Sequence, residues 1–373
     1  MKIAVVGAGI AGLTAAVALQ RAGHEVTVLE KRPDISPGAG ITLWPNALAA
    51  LDDVGLGAVL RTSGGRVTSG AVQTSSGKQL RRPDPERFVS VLGEPLVVIE
   101  RNLLRDVFTA VLEPGTVQFG VPISATNTVD ADLVIGADGI SSAVARELNG
   151  TLRRRYAGYA AWRGVATADL DDSVAGETFG PGVEAGHLPM GDGRAYWFLS
   201  ARCDEQRGAD GVSEKEKVRL EQLVAGWAGP LPSLLAATPI GRIRRTGLYD
   251  REPAKRWTTD RVVLIGDAVH PMRPHLGQGG CQAIEDAATL ALLVGDGSAP
   301  LPQVLDEYEK LRRPRAAAVV RESRAIGRLL NLRPHILVTA GLRASRLVPD
   351  QVLMAHLKSV VSHEAWEKAR PKV

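Results

Sequence analysis

At 373 residues, with 45% apolar and 23% charged side chains, the chain has the composition of a folded globular protein, long enough for two domains or one elaborated one. A net charge of +4, from 45 basic against 41 acidic residues, tolerates anionic ligands, but no basic tract interleaved with aromatics points to nucleic acid. Two distant cysteines argue against a disulfide framework or a metal site, as expected of a cytoplasmic protein, and no run is long enough to span a membrane.

Lys2 to Val6 is a β-branched, apolar run that stops at Gly7-Ala8-Gly9-Ile10-Ala11-Gly12. A helical stretch to about Ala22 and a second strand, His24 to Glu30, follow. The apolar stretch Ile3 to Leu19 imitates a signal-peptide core, but glycines at this spacing indicate a buried βαβ unit instead. Gly-x-Gly-x-x-Gly between strand and helix, with an acidic residue about twenty positions on, is a dinucleotide-binding signature. Gly7 permits the tight turn, Gly9 lets backbone approach a pyrophosphate, Gly12 lets helix pack on strand, and Glu30 can accept ribose hydroxyls. Ile10 and Ala11 supply N–H groups at the helix start, and Lys31 and Arg32 follow the acidic residue. The fingerprint alone does not separate NAD from FAD.

Gly38 to Asn46 is a second glycine-containing loop, with Gly40 and Ile41 in it, before a helix over Ala47 to Leu60. No second Gly-x-Gly-x-x-Gly follows a strand, which disfavours two separate dinucleotide domains. Val67 to Leu80 reads as a β-hairpin and Pro83 to Pro95 as an irregular connection. Val97 to Ile99 leads into a helix whose early arginine, Arg101, suits a phosphate. Thr116 to Phe119 and Ala131 to Ile135 are strands, the second ending in Gly136-Ala137-Asp138-Gly139.

From Arg153 to Tyr249 aromatics concentrate in short alternating segments, as in an antiparallel sheet, with one helix over Ser213 to Gly226. An apolar run from Val262 then ends at Gly266-Asp267, and a Pro- and Gly-rich loop opens a helix near Gly279-Gly280. Two strands of one parallel sheet thus aim Asp138 and Asp267 at one crevice, and the glycine start of the helix offers unpaired N–H donors to an electron-rich ligand. Leu305 to Arg343 reads as one arginine-rich helix whose charge solvates a surface, and Val352 to Trp366 as a final packing helix.

In order, the Gly7 fingerprint with Glu30, Gly136 to Gly139, and Gly266-Asp267-Ala268-Val269-His270-Pro271 resemble the three flavin motifs of the single-component FAD-dependent aromatic hydroxylases. Gly40-Ile41 through Pro45-Asn46, Tyr159 to Gly164, and Tyr308 to Arg315 resemble the salicylate-hydroxylase-like branch, so the likeness spans nearly the whole chain. It implies an α/β fold: a Rossmann-like FAD-binding domain over 1–66, 97–150 and 256–320, an inserted antiparallel-sheet substrate domain over 67–96 and 151–255, and C-terminal helices over 321–373.

The resemblance further implies that Glu30 holds the adenosine ribose, Arg101 contacts the pyrophosphate or ribityl region, and Asp138-Gly139 serves the FAD site. Asp267 would bind the ribityl chain, Gly277-Gln278-Gly279-Gly280 would line the isoalloxazine, and Pro274 would face flavin and substrate. NADH or NADPH would reduce the flavin, and O2 would add to it as a C4a-hydroperoxide that hydroxylates an aromatic or polycyclic small molecule. No metal is needed, and monomer and dimer are both compatible with this chemistry. His275 could orient or deprotonate a phenol, and His270 fixes loop geometry. Arg194 and Tyr196 share a strand face that could meet the flavin, and Trp197 takes the other.

Two departures stand out. The arginine usual after Ser142-Ala143-Val144 comes one position late, as Arg146, which bears on NAD(P)H contacts, and the stretch from Thr116 to Asp132 is short. Other FAD-dependent oxidoreductases on this fold (an epoxidase, a reductase, an N-hydroxylase) and a flavin-binding module without turnover remain open alternatives; a Trp-x-Trp-x-Ile-Pro halogenase signature is absent.

Overall fold

The computed structural model describes residues 1–33, 39–206, 211–334 and 336–372. Gly38 of the second glycine loop and His335 within the predicted Leu305–Arg343 helix lie outside the described residues. A five-stranded parallel sheet carries the order Val262–Leu264, Leu133–Gly136, Lys2–Val6, Glu25–Glu30, Val117–Phe119. Three of these strands, Val262–Leu264, Leu133–Gly136 and Lys2–Val6, are nearly continuous apolar runs because helices cover the sheet, whereas the edge strand Val117–Phe119 is largely exposed. The helix Ile10–Arg21 buries Leu13, Ala15, Ala16, Val17 and Leu19 in the same core as Ile3, Val5 and Val28. Two glycines of the first turn are obligatory for different reasons. Gly7 has φ +107°, and a Cβ there would lie 2.6 Å from the Ala137 carbonyl oxygen; a Cβ on Gly12 would lie 2.0 Å from the Gly7 oxygen.

The aromatic-rich half forms a seven-stranded sheet: Arg244–Asp250, Arg155–Thr167, Arg194–Arg202, Val183–Gly191, Val174–Gly180, Ser69–Thr74, Gln79–Arg81. It is antiparallel except at one seam, where Ser69–Thr74 runs parallel to Val174–Gly180. Alternation divides its faces. Trp162, Trp197 and Leu199 pack under the helices Glu214–Val224 and Leu231–Ala237. Tyr196, Leu188 and Phe198 take the other face, and a small sheet of Gly40–Leu43, Leu96–Glu100 and Gly65–Val67 lies beside them. Asp138 and Asp267 follow adjacent parallel strands, so both stand at the C-terminal edge of one sheet, the position where open α/β sheets bind ligands.

Four expectations need correction. The single helix read over Ala47 to Leu60 is two, Pro45–Asp53 and Gly57–Thr62, separated at Gly55, which takes the left-handed conformation. Pro83 to Pro95 is not irregular: it contains the helix Pro85–Leu92, with Asp84 accepting from the Arg87 N–H at its start and Gly93 in the left-handed conformation at its end. The long arginine-rich helix is two, Leu301–Leu330 and Ile336–Ser345, interrupted before Pro334, as the residues flanking a proline favour. The last helix is also two, Asp350–Val361 and His363–Ala369, because Ser362 leaves one and caps the next by accepting from the Ala365 N–H. Among the described residues between 120 and 132 there is only a short turn at Thr126–Thr128, in keeping with the shortened connection. No described helix is long and apolar enough to cross a membrane.

Candidate active site

The structure brings three distant segments to the C-terminal edge of the parallel sheet. At the first turn, Glu30 accepts from the Ala8 N–H at 2.8 Å and the Arg32 N–H at 3.0 Å, which ties its carboxylate to the glycine loop. Gly9 precedes the helix without a side-chain cap, and a Cβ placed on it would meet nothing within 4 Å. The N–H groups of the first helical turn at Ile10, Ala11 and Gly12 have no partner within the helix. Lys31 and Arg32 are exposed beside this turn. Gly266, at φ +59°, comes against Ala11 and Ala283, where a Cβ would meet carbons at 3.1 Å. Gly280 comes against Ile41, and Gly40 against the Tyr196 ring. A Cβ at Gly40 would sit 2.5 Å from Tyr196 Cγ, so glycine is what lets this strand approach the second sheet.

Charged groups in this cleft show the electrostatics of an enclosed place. Solvent reaches Asp267, yet burial pushes its carboxyl pKa up, against the charges of His270, Arg101 and Arg251. Arg101, at the start of the helix Arg101–Ala110, is likewise reached by solvent, yet burial and the neighbouring Arg163 lower its pKa, with Tyr196 and Asp267 opposing. A side chain that is open to water but surrounded by protein stands on the wall of a cleft, not on a convex surface. Asp138 accepts from the Ala143 N–H at 2.6 Å through one oxygen, and its other oxygen is buried with no partner. Gly139, at φ +77°, has open space beside it. Arg146 donates to the Ser141 carbonyl at 2.6 Å, so its side chain holds its own loop.

Behind the third segment lies a buried ionic network. Asp286 accepts from the Gly266 N–H at 2.8 Å, His270 Nε2 at 2.5 Å and Arg312 Nε at 2.7 Å. Glu285 accepts from Arg312 at 2.5 Å, Arg315 at 2.6 Å and Asn46 at 2.6 Å. Burial alone would raise both carboxyl pKa values; the charges of Arg315 and Arg312 hold Glu285 below its ordinary range, and those of His270 and Arg312 do so for Asp286. Arg312 is fully buried and Arg315 pairs with the buried Glu285, so the reading of this arginine-rich helix as a solvated surface is overturned at these two residues, while Lys310, Arg321 and Arg328 are exposed. His270 does brace the loop, through Asp286. Gln278 precedes the helix Gly279–Val294. Its side chain is buried, its oxygen accepts from Asn46 at 3.0 Å and Gln282 at 3.2 Å, and its Nε2 has no partner.

The helix Gly279–Val294 begins at the anticipated residue, with no side-chain cap, so its first N–H groups have no partner within the helix. Pro274 and Gly277 are exposed there. The His275 side chain, by contrast, is only 1% exposed. Its Nε2 lies 2.7 Å from the Tyr159 hydroxyl and its Nδ1 3.0 Å from Glu184, and it packs where Gly327 has no side chain. Arg194 is ion-paired with Glu100 at 2.7 Å, while Tyr196 is buried 6.4 Å from the Phe198 ring. Trp197 occupies the opposite face and donates to Thr238 at 2.8 Å.

Sequence reasoning missed Asn46, Glu285, Asp286, Arg312 and Arg315, and also Arg251, which donates to the Asp267 and Ala268 carbonyls at 3.1 and 2.7 Å and fixes that turn. One signal was available: adjacent acids, Glu285-Asp286, inside an otherwise apolar helix require buried partners.

The FAD binding domain family matches residues 116–323, and the NAD(P)-binding Rossmann-like domain family matches residues 5–41. Aurachin C monooxygenase/isomerase of Stigmatella aurantiaca is 34% identical over 88% of this chain and 89% of its own length. FAD-dependent urate hydroxylase of Klebsiella pneumoniae is 32% identical over 87% and 89%. Among solved structures, Klebsiella pneumoniae HpxO complexed with FAD and uric acid superposes with a TM-score of 0.89 at 29% identity, covering 97% of this chain and 96% of that one. A salicylate hydroxylase substrate complex shares the fold, with a TM-score of 0.76 at 21% identity over 100% and 98%.

Proposed function

The chain belongs to the FAD-dependent aromatic hydroxylases and monooxygenases, and from that premise we propose that it uses NADH or NADPH and O2 to hydroxylate an aromatic or polycyclic small molecule. The observation that carries the reading is the convergence of Gly9, Asp138 and Asp267 on one cleft, the first with open space and the second with an unpartnered buried oxygen. These residues fit FAD. Glu30 would take the adenosine ribose, the N–H groups at Gly9 to Gly12 the pyrophosphate, and Arg101 and Asp267 the pyrophosphate and ribityl chain.

When bound, FAD supplies the redox chemistry: electrons from NAD(P)H, activation of O2, and transfer of one oxygen atom to the substrate ring while the other leaves as water. The chain's own work is electrostatic and steric. Gly277 to Gly280 let main chain approach the ring system, and the helix starting at Gly279 presents its positive end to negative charge there, worth about 0.3–2 kcal/mol. Pro274 faces the cleft, and Tyr196, Phe198 and Leu188 offer an apolar wall for a flat substrate.

Flavin absorbance of the purified protein, and NAD(P)H oxidation stimulated by an aromatic compound, are the expected results. A preparation that stays colourless after reconstitution with FAD overturns the reading. Asp267→Ala is expected to weaken FAD retention at least tenfold in a dilution assay; unchanged retention removes Asp267 from the site.

A further inference from the structure

The positive charge of the chain is concentrated in one stretch. Between residues 321 and 349 stand six arginines and one acid, Glu322, a surplus of five against four for the whole chain, so the remainder is net negative. This stretch is the end of the helix Leu301–Leu330, a turn, the helix Ile336–Ser345, and the corner before the helix Asp350–Val361. Arg324 pairs with Asp250 and Glu252, and Glu322 with His356. The other five, Arg321, Arg328, Arg333, Arg343 and Arg346, are exposed and have no side-chain partner among the described residues.

Apolar side chains are exposed beside them. Leu329, Leu332, Leu347, Val348 and Val352 face solvent, and Leu347, at 84%, is more exposed than any other large apolar side chain among the described residues. On the long helix Arg321, Ala325 and Arg328 follow at i, i+4 and i+7, with Leu329 next to them, and form an outward stripe. Val320, Ser323 and Gly327 are buried on the inward side. The second helix folds back on the first: a Cβ on Gly341 would lie 3.8 Å from Leu329 Cδ1. The corner that carries Leu347 is anchored by Arg81, from the edge strand Gln79–Arg81, which donates to the Ser345 and Val348 carbonyls and pairs with Asp350.

We propose that this helical hairpin docks the protein on the surface of an anionic lipid bilayer. Leucines and arginines side by side suit both layers of such a surface. The apolar side chains enter the acyl boundary, and the guanidinium groups reach phosphate oxygens. Nucleic acid would use the arginines and leave the leucines in water. A second copy meeting the hairpin by the same surface would bring like charge against it, and repulsion opposes that. On the other side of the same helix, Ser323 donates to the Arg273 carbonyl at 2.5 Å and Gly327 makes room for His275. The loop that bears Pro274 therefore stands directly behind the docking surface.

Sedimentation of the FAD-loaded protein with vesicles tests this. Phosphatidylcholine vesicles containing about 30% phosphatidylglycerol are expected to bind it at least tenfold more tightly than phosphatidylcholine alone, with binding that weakens as salt rises. Reversing four charges together, Arg321→Glu, Arg328→Glu, Arg343→Glu and Arg346→Glu, is expected to remove the preference for anionic vesicles. Leu347→Ser with Val348→Ser keeps every charge and is expected to weaken binding to them about tenfold. Flavin content and melting temperature should match wild type in both variants, because the altered side chains are exposed. If the fourfold variant loses flavin, the lipid selectivity of wild type and the serine pair still decide. Equal sedimentation of wild type with both vesicle types, or with neither, overturns the proposal. Duplex DNA bound in preference to vesicles overturns it in favour of nucleic acid, and a dimer that the serine pair dissolves, with no vesicle binding, overturns it in favour of self-association. NAD(P)H oxidation enters none of these readouts, so the proposal and the monooxygenase reading fail separately.

Discussion

Two buried polar centres flank the cleft, and they solve the problem of burying carboxylates in opposite ways. Around the helix Gly279–Val294, Glu285 and Asp286 are matched by Arg312, Arg315, His270 and Asn46, and both acids are held ionised. On the sheet face, Glu184 meets His275, and burial with the charge of Glu184 pushes Glu177 toward its neutral form. Matched charges fix a structure, because moving any member strands another in a poor solvent. The first centre holds the loop from Gly266 to Gly280 in place, through the Asp286 bond to the Gly266 N–H and the contact of Asn46 with Gln278. The second touches that loop at His275.

The sharpest way to break this comparison is Arg312→Met. It leaves two fully buried carboxylates short of their main cation, which is expected to cost about 3–5 kcal/mol and to lower both melting temperature and flavin content. Arg312→Lys should not restore them, since one ammonium, with three donors on a single atom, cannot reproduce four guanidinium hydrogen bonds. The acid limb of stability gives the sign. Glu285 and Asp286 have folded pKa values below their unfolded ones, so their stabilisation is present above the unfolded pKa and is lost as pH falls through the folded one. Arg312→Met should flatten that limb. A variant as stable and as acid-sensitive as wild type would show that the network is not what holds the loop.

A smaller effect of opposite sign is expected at the second centre. The folded Glu177 pKa is raised, so the unfolded state gives up its proton first, and stability falls as pH rises above the unfolded value. Glu177→Gln should therefore stabilise the protein at neutral pH, with a gain that shrinks toward acid pH. Thermal melts across pH check this, and a loss of stability at neutral pH would place Glu177 among the matched charges.

The parts of the molecule that were legible in the sequence are those whose causes are local. Gly7, Gly9 and Gly12 answer to the backbone of one turn, and the helix at Gly279 is announced by its own glycines and apolar period. The helix Pro85–Leu92 was equally local, with Asp84-Pro85 at its start and Gly93 at its end, and a reading that weighed the prolines as breakers passed over its caps. The two polar centres are different in kind. Asn46 and Glu285 meet across 239 residues, and Tyr159 and His275 across 116; only the fold makes them neighbours. His275 was legible as a residue near the site but not as an enclosed one. Its surroundings come from Gly327, on a helix whose arginines looked like surface charge until Arg312 proved to be inside.

Tyr308 supplies the finest test. It lies one helical turn before Arg312, is fully buried, and donates its hydroxyl to the Leu264 carbonyl at 3.2 Å, at the end of the strand that leads into Gly266-Asp267. Unlike the arginines, it contributes a neutral hydrogen bond and a ring packed 6.3 Å from Trp257. Tyr308→Phe keeps the ring and removes the bond, so the expected loss is about 0.5–1.5 kcal/mol, seen in denaturant melts, with FAD affinity changed less than tenfold. If FAD affinity instead drops as far as in Arg312→Met, then the position of the strand end, and not the pairing of charge, is what the long helix supplies to the cleft.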